Sequence, residues 1–223
     1  MKNKKLVIIG AGELARIAFE YFTYDSSYDV FAFSVNKEFI ESSEINGIPV
    51  VEFEELERIY PPSEYEAFVA IPATKLNRVR TRLFNEAKNK GYKLATYISS
   101  SAFVWRNAEI GENCFIFENN TIQPFVKIED NVILWSGNHI GHRTVIRANS
   151  FITSHAVISG YCEIGSGSFV GVNAIFNDKT SLAANSIVGS GAVVTKKLKT
   201  EEGVYIGNPA KLFPRKSAFD IEL

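Results

Sequence analysis

The chain contains three histidines, His139, His142 and His155, and they lie close together in the sequence. Imidazole changes its charge near neutral pH, so histidine is the side chain most often used as a general base. Histidine is also a common zinc ligand, and three converging imidazoles can hold that metal with one position open for water. This segment therefore suggests proton transfer or a metal centre, depending on how the surrounding elements place the imidazoles.

The histidines lie inside a repeat in which an apolar residue recurs every six positions from Val104 to Val194. A second column, made mostly of small residues, stands four positions after each apolar residue. Neither the 3.6-residue period of a helix nor the two-residue period of a strand produces this spacing. We predict a left-handed parallel β-helix, in which three hexads make one coil and neighbouring coils bury each other's apolar residues.

Each hexad then has a fixed geometry. If the apolar residue is position 1, positions 1 and 5 point inward, positions 2 to 4 form a corner, and position 6 points outward. Glycine recurs at position 2, where we expect a turn that favours it, at Gly111, Gly141 and Gly165. This geometry places His142 and His155 at corners and His139 on a flat face, so none is a core histidine. His142 is the leading candidate for a general base, and His139 and His155 are either further candidates or plain surface residues.

Residues 1–98 have a different pattern, in which strands alternate with helices. This alternation predicts a parallel sheet, and we interpret the segment as a small α/β, Rossmann-like domain. Residues 99–223 form the second domain, a β-helix with a charged loop at 196–202, a closing strand at 204–206 and a C-terminal tail. In the first domain we predict strands at 6–9, 30–33, 67–71 and 94–98, and helices at 13–22, 54–59 and 75–90.

Composition narrows the function classes. The 223 residues carry a net charge of −1 and are 46% hydrophobic, which fits one or two globular domains and gives no footprint for nucleic acid or an acidic membrane. Cys114 and Cys162 fall in the small-residue column, so we expect buried hydrophobes rather than metal ligands or a disulfide. The apolar run at 6–9 is too short to span a membrane and ends in a glycine turn rather than a cleavage pattern, so we expect a cytoplasmic protein.

Several motifs together carry a family resemblance. The hexads, the stretch Asn138–His142, the terminal Gly207–Lys211 and the N-terminal turn Gly10–Gly12 resemble the hexapeptide-repeat sugar acyltransferases of the sialic acid O-acetyltransferase-like family. That family includes N-acetyltransferases of nucleotide-linked amino sugars, and the resemblance covers nearly the whole chain. It implies acetyl-CoA-dependent transfer to an amino or hydroxyl group of a nucleotide-linked sugar, for surface polysaccharide or glycoconjugate synthesis. It also implies a homotrimer, no metal, no nucleic acid partner and no membrane insertion.

The resemblance assigns roles to residues of the β-helix. The family's general base matches His142, which would deprotonate the sugar acceptor for attack on the acetyl thioester. The family often has a carboxylate next, but this chain has Arg143. Either another carboxylate or carbonyl orients His142, or its imidazole is less basic than usual. The family's acetyl-CoA contacts align with Phe151, Val172 and Ser190. Gly189 and Gly191 flank Ser190 and would let the pantetheine arm of the cofactor approach closely.

The N-terminal glycine turn has two interpretations. Gly10-x-Gly12-x-x-Ala15 between a strand and a helix fits an anion-binding turn, although plain strand–helix packing gives the same pattern. No acidic residue ends the second strand, which removes the ribose partner expected for NAD. The candidate substrate-binding residues are Gly10, Gly12, Glu13, Ser34 and Asn36. The pocket either takes an unusual nucleotide sugar or is vestigial.

Two other functions compete with acyl transfer. A γ-type carbonic anhydrase is also a trimeric β-helix with histidine ligands, but it would leave the N-terminal domain unexplained. A trimeric scaffold with a degenerate site would need no catalysis at all. Metal analysis separates the first from an acyltransferase, and acetyl-CoA binding separates the second.

Overall fold

The computed structural model describes residues 2–222, apart from the side chain of Arg215. The chain forms two compact units. The first comprises residues up to Pro72 together with Arg80–Tyr97, and the second comprises Ala73–Val79 together with the chain from Ile98 onward. Within the described residues, no helix has both the length and the apolar character needed to cross a membrane.

The first unit is built on a five-stranded sheet. Its strands are β1 (Lys4–Ile9), β2 (Tyr28–Val35), β3 (Glu44–Ile45), β4 (Ile48–Glu52) and β5 (Tyr65–Val69), in the order β3-β4-β2-β1-β5. All neighbours are parallel except the β3–β4 pair. The helices are α1 (Glu13–Tyr24), α2 (Leu56–Ile59) and α3 (Arg78–Asn89), with 3₁₀ turns at Lys37–Phe39 and Phe53–Glu55. Residues 6–9 of β1 are buried on both faces, as expected for a central parallel strand.

The hairpin of β3 and β4 is absent from the sequence prediction. Its turn is Asn46-Gly47, with left-handed φ angles of 53° and 74°. Asn-Gly between two short strands is a strong hairpin motif, because both turn positions need positive φ. The predicted last strand of this unit is also reduced, to a bridge between Leu94 and Ala67 and the short strand Tyr97–Ile98.

The third predicted helix begins at Arg78, not at Lys75. Lys75, Leu76 and Asn77 have left-handed φ angles of 51°, 49° and 62°, which a right-handed helix excludes. The buried Asn77 amide donates a hydrogen bond to the Gly167 carbonyl at 3.1 Å. Side-chain interactions within the second unit therefore determine this segment's conformation, and helical periodicity alone does not reveal them.

The second unit is a stack of triangular coils with three sheets, which we call faces 1, 2 and 3. The strands of face 1 are Phe103–Val104, Thr121–Ile122, His139–Ile140, Val157–Ile158, Ile175–Phe176 and Val193–Val194. Those of face 2 are Glu109–Ile110, Lys127–Ile128, Val145–Ile146, Glu163–Ile164 and Ser181–Leu182. Those of face 3 are Tyr97–Ile98, Phe115–Ile116, Ile133–Leu134, Phe151–Ile152, Phe169–Val170, Ile187–Val188, Gly203–Ile206 and the antiparallel Lys211–Ser217. Parallel pairing of residues eighteen apart fits a left-handed β-helix.

The core of the coils consists of the two predicted columns. From Ile116 to Val194, the apolar residues of position 1 are at most 2% exposed, and the small residues between them are buried as well. Cys114 and Cys162 are buried free thiols, as predicted from their place in the small-residue column. Burial raises the pKa of the Cys162 thiol, which disfavours a reactive thiolate.

The reason predicted for glycine at position 2 is wrong. Left-handed φ angles occur at position 4 of the hexads, for example at Asn131, Arg143 and His155. Glycine stands at position 2 because the next coil comes too close for a side chain. A Cβ on Gly141 would lie 2.5 Å from the carbonyl carbon of Ser159, and one on Gly165 would lie 2.5 Å from the backbone nitrogen of Ala184.

The predicted C-terminal tail is ordered structure. Lys211–Ser217 pairs antiparallel with Gly203–Ile206 and extends face 3. A 3₁₀ turn, Ala218–Asp220, follows, and Ser217 and Asp220 form a reciprocal capping box at its start. Ala218 packs with Leu76, Ile187 and Val204 in a small apolar cluster.

Candidate active site

The three edges of the coil carry the turns that position the candidate residues. The first edge joins faces 1 and 2, the second joins faces 2 and 3, and the third joins face 3 to face 1. His142 lies on the first edge, directly after the strand His139–Ile140, and its side chain is exposed. An exposed imidazole at a corner is accessible to a substrate.

The His142 ring is held against the next coil. A Cβ on Gly160 would lie 2.5 Å from Cε1 and 2.8 Å from Nε2 of His142, so the ring occupies the space that a side chain there would fill. The ring of Tyr161 stands at 83° to the imidazole, with 5.2 Å between ring centroids. Gly160 and Tyr161 therefore form a platform on which the imidazole rests.

Gln123, on the preceding coil, contacts His142 from the other side. Its Oε1 accepts a hydrogen bond from the backbone N–H of His142 at 2.8 Å and lies 3.4 Å from Nδ1 of the ring. No motif marks Gln123 in the sequence, but it lies nineteen residues before His142, so the period of the coil could have identified it.

Arg143 points away from the imidazole. Its guanidinium carbon lies 4.4 Å from the centroid of the Phe125 ring on the preceding coil, a cation–π arrangement. The described contacts of His142 include no carboxylate. Arg143 left two alternatives: a carboxylate or carbonyl orients His142, or the imidazole is less basic than usual. The contacts match orientation by a carbonyl, because the side-chain carbonyl of Gln123 lies beside the ring.

The other two histidines lie elsewhere on the coil. His155 is on the third edge, exposed, with its ring over Gly137, where a Cβ would lie 2.6 Å from Nδ1. His139 is a half-buried residue of face 1 that pairs with Thr121 and Val157. Among residues 2–222, no group of three or more histidine, cysteine or acidic side chains is arranged to hold a metal ion. A zinc centre built by one chain from these three histidines does not match this placement.

The candidate acetyl-CoA residues cluster away from His142. Val172 and Ser190 are exposed on the third edge, one coil apart, and the backbone N–H of Gly191 donates to the Val172 carbonyl at 2.8 Å. Gly189 flanks Ser190 in the same turn. Phe151 is instead buried on face 3, and its ring stacks on Phe169 with 5.7 Å between centroids. One chain thus brings the third-edge residues together but does not bring them to His142.

The N-terminal candidates lie around the end of β1. The backbone N–H of Gly10 donates to the Ser34 carbonyl at 2.7 Å, which brings these two residues together. Gly10 has φ 131°, and a Cβ there would lie 2.7 Å from the Ala70 carbonyl oxygen, so only glycine fits. Gly12 is the exposed N-cap of α1 with open space beside it, and Glu13 is the exposed first helical residue.

Asn36 lies just beyond β2 and is held by two charged groups. Its side-chain amide donates to Glu54 Oε1 at 2.8 Å, and Arg82 donates to its Oδ1 at 3.5 Å. The hydrogen bond from Asn36 lowers the pKa of the Glu54 carboxyl. Neither Glu54 nor Arg82 was a sequence candidate, since their partner lies eighteen and forty-six residues away.

A basic cavity lies at the C-terminal end of the coil. It measures about 290 Å³, and its lining includes Lys196, Lys197, Lys199 and Lys211. Lys196 lies two residues after the face-1 strand Val193–Val194, and His142 lies two residues after the face-1 strand His139–Ile140. The two residues are therefore on the same edge, with His142 three coils before Lys196. Because coils stack at the strand spacing of about 4.8 Å, the two positions are roughly 14 Å apart.

Comparisons with known proteins agree with this architecture. The family model described as bacterial transferase hexapeptide (six repeats) matches residues 107–142, which end at His142. No match is found among the curated proteins. Among solved structures, the acetyltransferase domain of PglB from Neisseria gonorrhoeae is 27% identical, with a TM-score of 0.84, and the match covers 95% of this chain and 100% of that one.

Two further solved structures contain ligands. PerB from Caulobacter crescentus, in complex with CoA and GDP-perosamine, is 27% identical, with a TM-score of 0.84 and 94% and 97% of the two chains covered. The PglB domain in complex with acetyl coenzyme A is 26% identical, with a TM-score of 0.84 and 95% and 100% covered. Together these findings support a hexapeptide-repeat sugar acetyltransferase. The matches to the PglB domain and to PerB cover 95% and 94% of this chain, so they extend into both units.

Proposed function

We propose that the chain transfers the acetyl group of acetyl-CoA to a nucleotide-linked sugar, with His142 as the general base. The observation that carries this proposal is the exposed imidazole of His142, supported by Gly160 and Tyr161 and contacted by Gln123. CoA, acetyl-CoA and GDP-perosamine occupy two of the matched structures, which supports the same co-substrate and acceptor class here.

The reaction needs one proton acceptor. His142 Nε2 would take a proton from the amino or hydroxyl group of the sugar as that group attacks the thioester carbonyl. The tetrahedral intermediate would then collapse, the C–S bond would break, and CoA would leave as its thiolate. The proton held by His142 would return to the departing sulfur or to solvent, which leaves the base ready for another turnover.

We also infer that copies of the chain share each active site in a homotrimer. His142 is on the first edge, whereas the acetyl-CoA candidates Val172 and Ser190 are on the third edge. A neighbouring copy that presents its third edge to the first edge would bring both sets together. The outward residues of face 1 include exposed Phe103, Val157 and Ile175, an apolar surface suited to such an interface.

The basic cavity supports a co-substrate that carries phosphate groups. Lys196, Lys197 and Lys199 would attract the phosphates of CoA, while the thioester reaches along the first edge toward His142. A phosphate-bearing donor thus has a cationic anchor on the same edge as the base.

We assign residues 1–98 to a Rossmann-like domain that binds the nucleotide part of the acceptor and residues 99–223 to acyl transfer. The parallel sheet, the glycine turn before α1, and Asn36 with its Glu54 and Arg82 partners support this assignment. An amide can both donate to and accept from a nucleobase edge, which would replace the acidic residue often found at this place in the family.

The test is a screen for acceptors. Purified chain is mixed with acetyl-CoA and a panel of nucleotide-linked sugars, with or without a free amino group, and thiol release is followed. Release that depends on both substrates supports the proposal, and an amino-sugar requirement assigns N-acetylation. Absence of both acetyl-CoA binding and thiol release across the panel contradicts it and favours a scaffold.

A further inference from the structure

The side chain of Gln123 contacts both the backbone and the ring of His142. A backbone N–H can only donate, so the Gln123 atom 2.8 Å from it must be the amide oxygen rather than the amide nitrogen. The same oxygen lies 3.4 Å from Nδ1 of the imidazole. That approach is attractive only when Nδ1 carries a hydrogen, because two unprotonated acceptors repel each other.

We propose that Gln123 is a positioning residue that holds the His142 imidazole protonated at Nδ1, so that the Nε2 lone pair faces the sugar acceptor. The proposal rests on the function proposed above, in which His142 is the base. Many enzymes assign this task to a carboxylate, which also stabilises the imidazolium that forms. A neutral amide fixes the tautomer without placing a charge beside the imidazole.

The other groups around the imidazole do not duplicate this role. On the turn of His142 itself, Arg143 stacks on Phe125. On the next coil, Tyr161 presents its ring to the imidazole. One coil further, Asp178 accepts a hydrogen bond from the Gly160 backbone N–H at 2.8 Å. Of the described side chains, Gln123 is the one within hydrogen-bond distance of a His142 ring nitrogen.

The second edge contains a natural counterpart of this arrangement. Glu129 occupies the hexad position of Gln123, and its Oε2 accepts from the backbone N–H of Ala148 at 3.0 Å, where Ala148 takes the place of His142. The coil therefore accommodates a carboxylate in this position and geometry, where Arg147 pairs with its Oε1 at 2.9 Å. Gln123→Glu should fold, and Glu129→Gln is a matched control that makes the reverse change at a corner without a histidine.

The first experiment measures turnover against pH for these variants. In Gln123→Glu, the carboxylate stabilises the protonated imidazole, so the acidic limb should move to higher pH by about one unit. Gln123→Met has a similar shape but cannot accept these bonds, and turnover should fall about 10- to 100-fold at every pH, with little change in the KM for acetyl-CoA. Glu129→Gln should leave both the limb and the turnover near wild type.

The second experiment needs no activity. Histidine nitrogen NMR of the free protein reports the tautomer, and a spectrum of His142→Asn identifies the His142 signals among three histidines. The proposal predicts protonation at Nδ1 in wild type and titration at higher pH in Gln123→Glu. Protonation at Nε2, or an unmoved titration in folded Gln123→Glu, overturns it. If no sugar is acetylated, only the proposed function fails, because the tautomer still tests the positioning.

Discussion

The position of the His142 ring depends on the absence of a side chain at Gly160. The imidazole packs directly over the backbone of the next coil, and Gly160 does not need glycine for its backbone angles, since its φ is not in the left-handed region. A residue with a Cβ could adopt the same backbone there, but it would displace the ring. The glycine at position 160 therefore makes room for the His142 ring and is not required by the backbone angles of the turn.

We expect Gly160→Ala to lower turnover about 10- to 100-fold, since misplacement of a catalytic group by about 1 Å has effects of that size. The added Cβ would start 2.5 Å from Cε1 of His142 and push the ring outward. The thermal midpoint should change little, because an exposed side chain moves instead of backbone. Kinetics and a melting curve of the same preparation check both points. Wild-type turnover in this variant would contradict the claim that Gly160 sets the position of the His142 ring.

Part of this site could be predicted from sequence and part could not. The hexad period places His142 at a corner, and its exposure is confirmed. The partners of its ring were missed, because Gln123 and Gly160 lie nineteen residues before it and eighteen after it. Only stacking of successive coils makes these residues neighbours, and the period predicts which positions approach without saying which side chains bond.

At the scale of elements, close approach of the coils determines which corner residues are tolerated. Gly165 illustrates this, because its missing side chain faces backbone atoms of the next coil at Ala183 and Ala184, 2.6 Å and 2.5 Å from an added Cβ. Backbone that is hydrogen-bonded on both sides cannot yield as a single exposed side chain can.

We therefore expect Gly165→Ala to destabilise the protein by about 1–3 kcal/mol, the usual cost of overpacking. Urea unfolding at fixed protein concentration measures the change in the free energy of unfolding. Gly160→Ala is the matched control, because its added Cβ meets the His142 side chain rather than backbone. Equal stability of wild type and Gly165→Ala would show that the coils can separate there, contrary to the spacing described.

Elements of the first unit were predicted less completely. Long apolar strands such as β1 were found within two residues because burial on both faces leaves a clear apolar run. The hairpin at Asn46-Gly47 was missed although its turn motif is present. The start of α3 was misplaced because Asn77 is fixed by a hydrogen bond to Gly167, ninety residues away, which no local pattern shows.

At the scale of the whole molecule, the proposed site needs more than one chain. The proposed base His142 and the acetyl-CoA candidates occupy different edges, and face 1 exposes apolar residues such as Val157 and Ile175. We expect light scattering at micromolar concentration to give three times the 24.8 kDa of one chain. Val157→Asp should weaken this assembly, because it would bury a charge at the interface. A wild-type mass of one chain would contradict the shared site.

The central claim is that His142 accepts the proton in acetyl transfer. The most direct measurement compares wild type with His142→Ala for thiol release from acetyl-CoA in the presence of the acceptor found by screening, with acetyl-CoA affinity measured in parallel. We predict a fall in turnover of about 10²–10⁴-fold with nearly unchanged acetyl-CoA affinity, because a general base contributes that much to the rate and little to binding. Turnover close to wild type in His142→Ala would contradict the account and move the role to another group, with His155 the next to test.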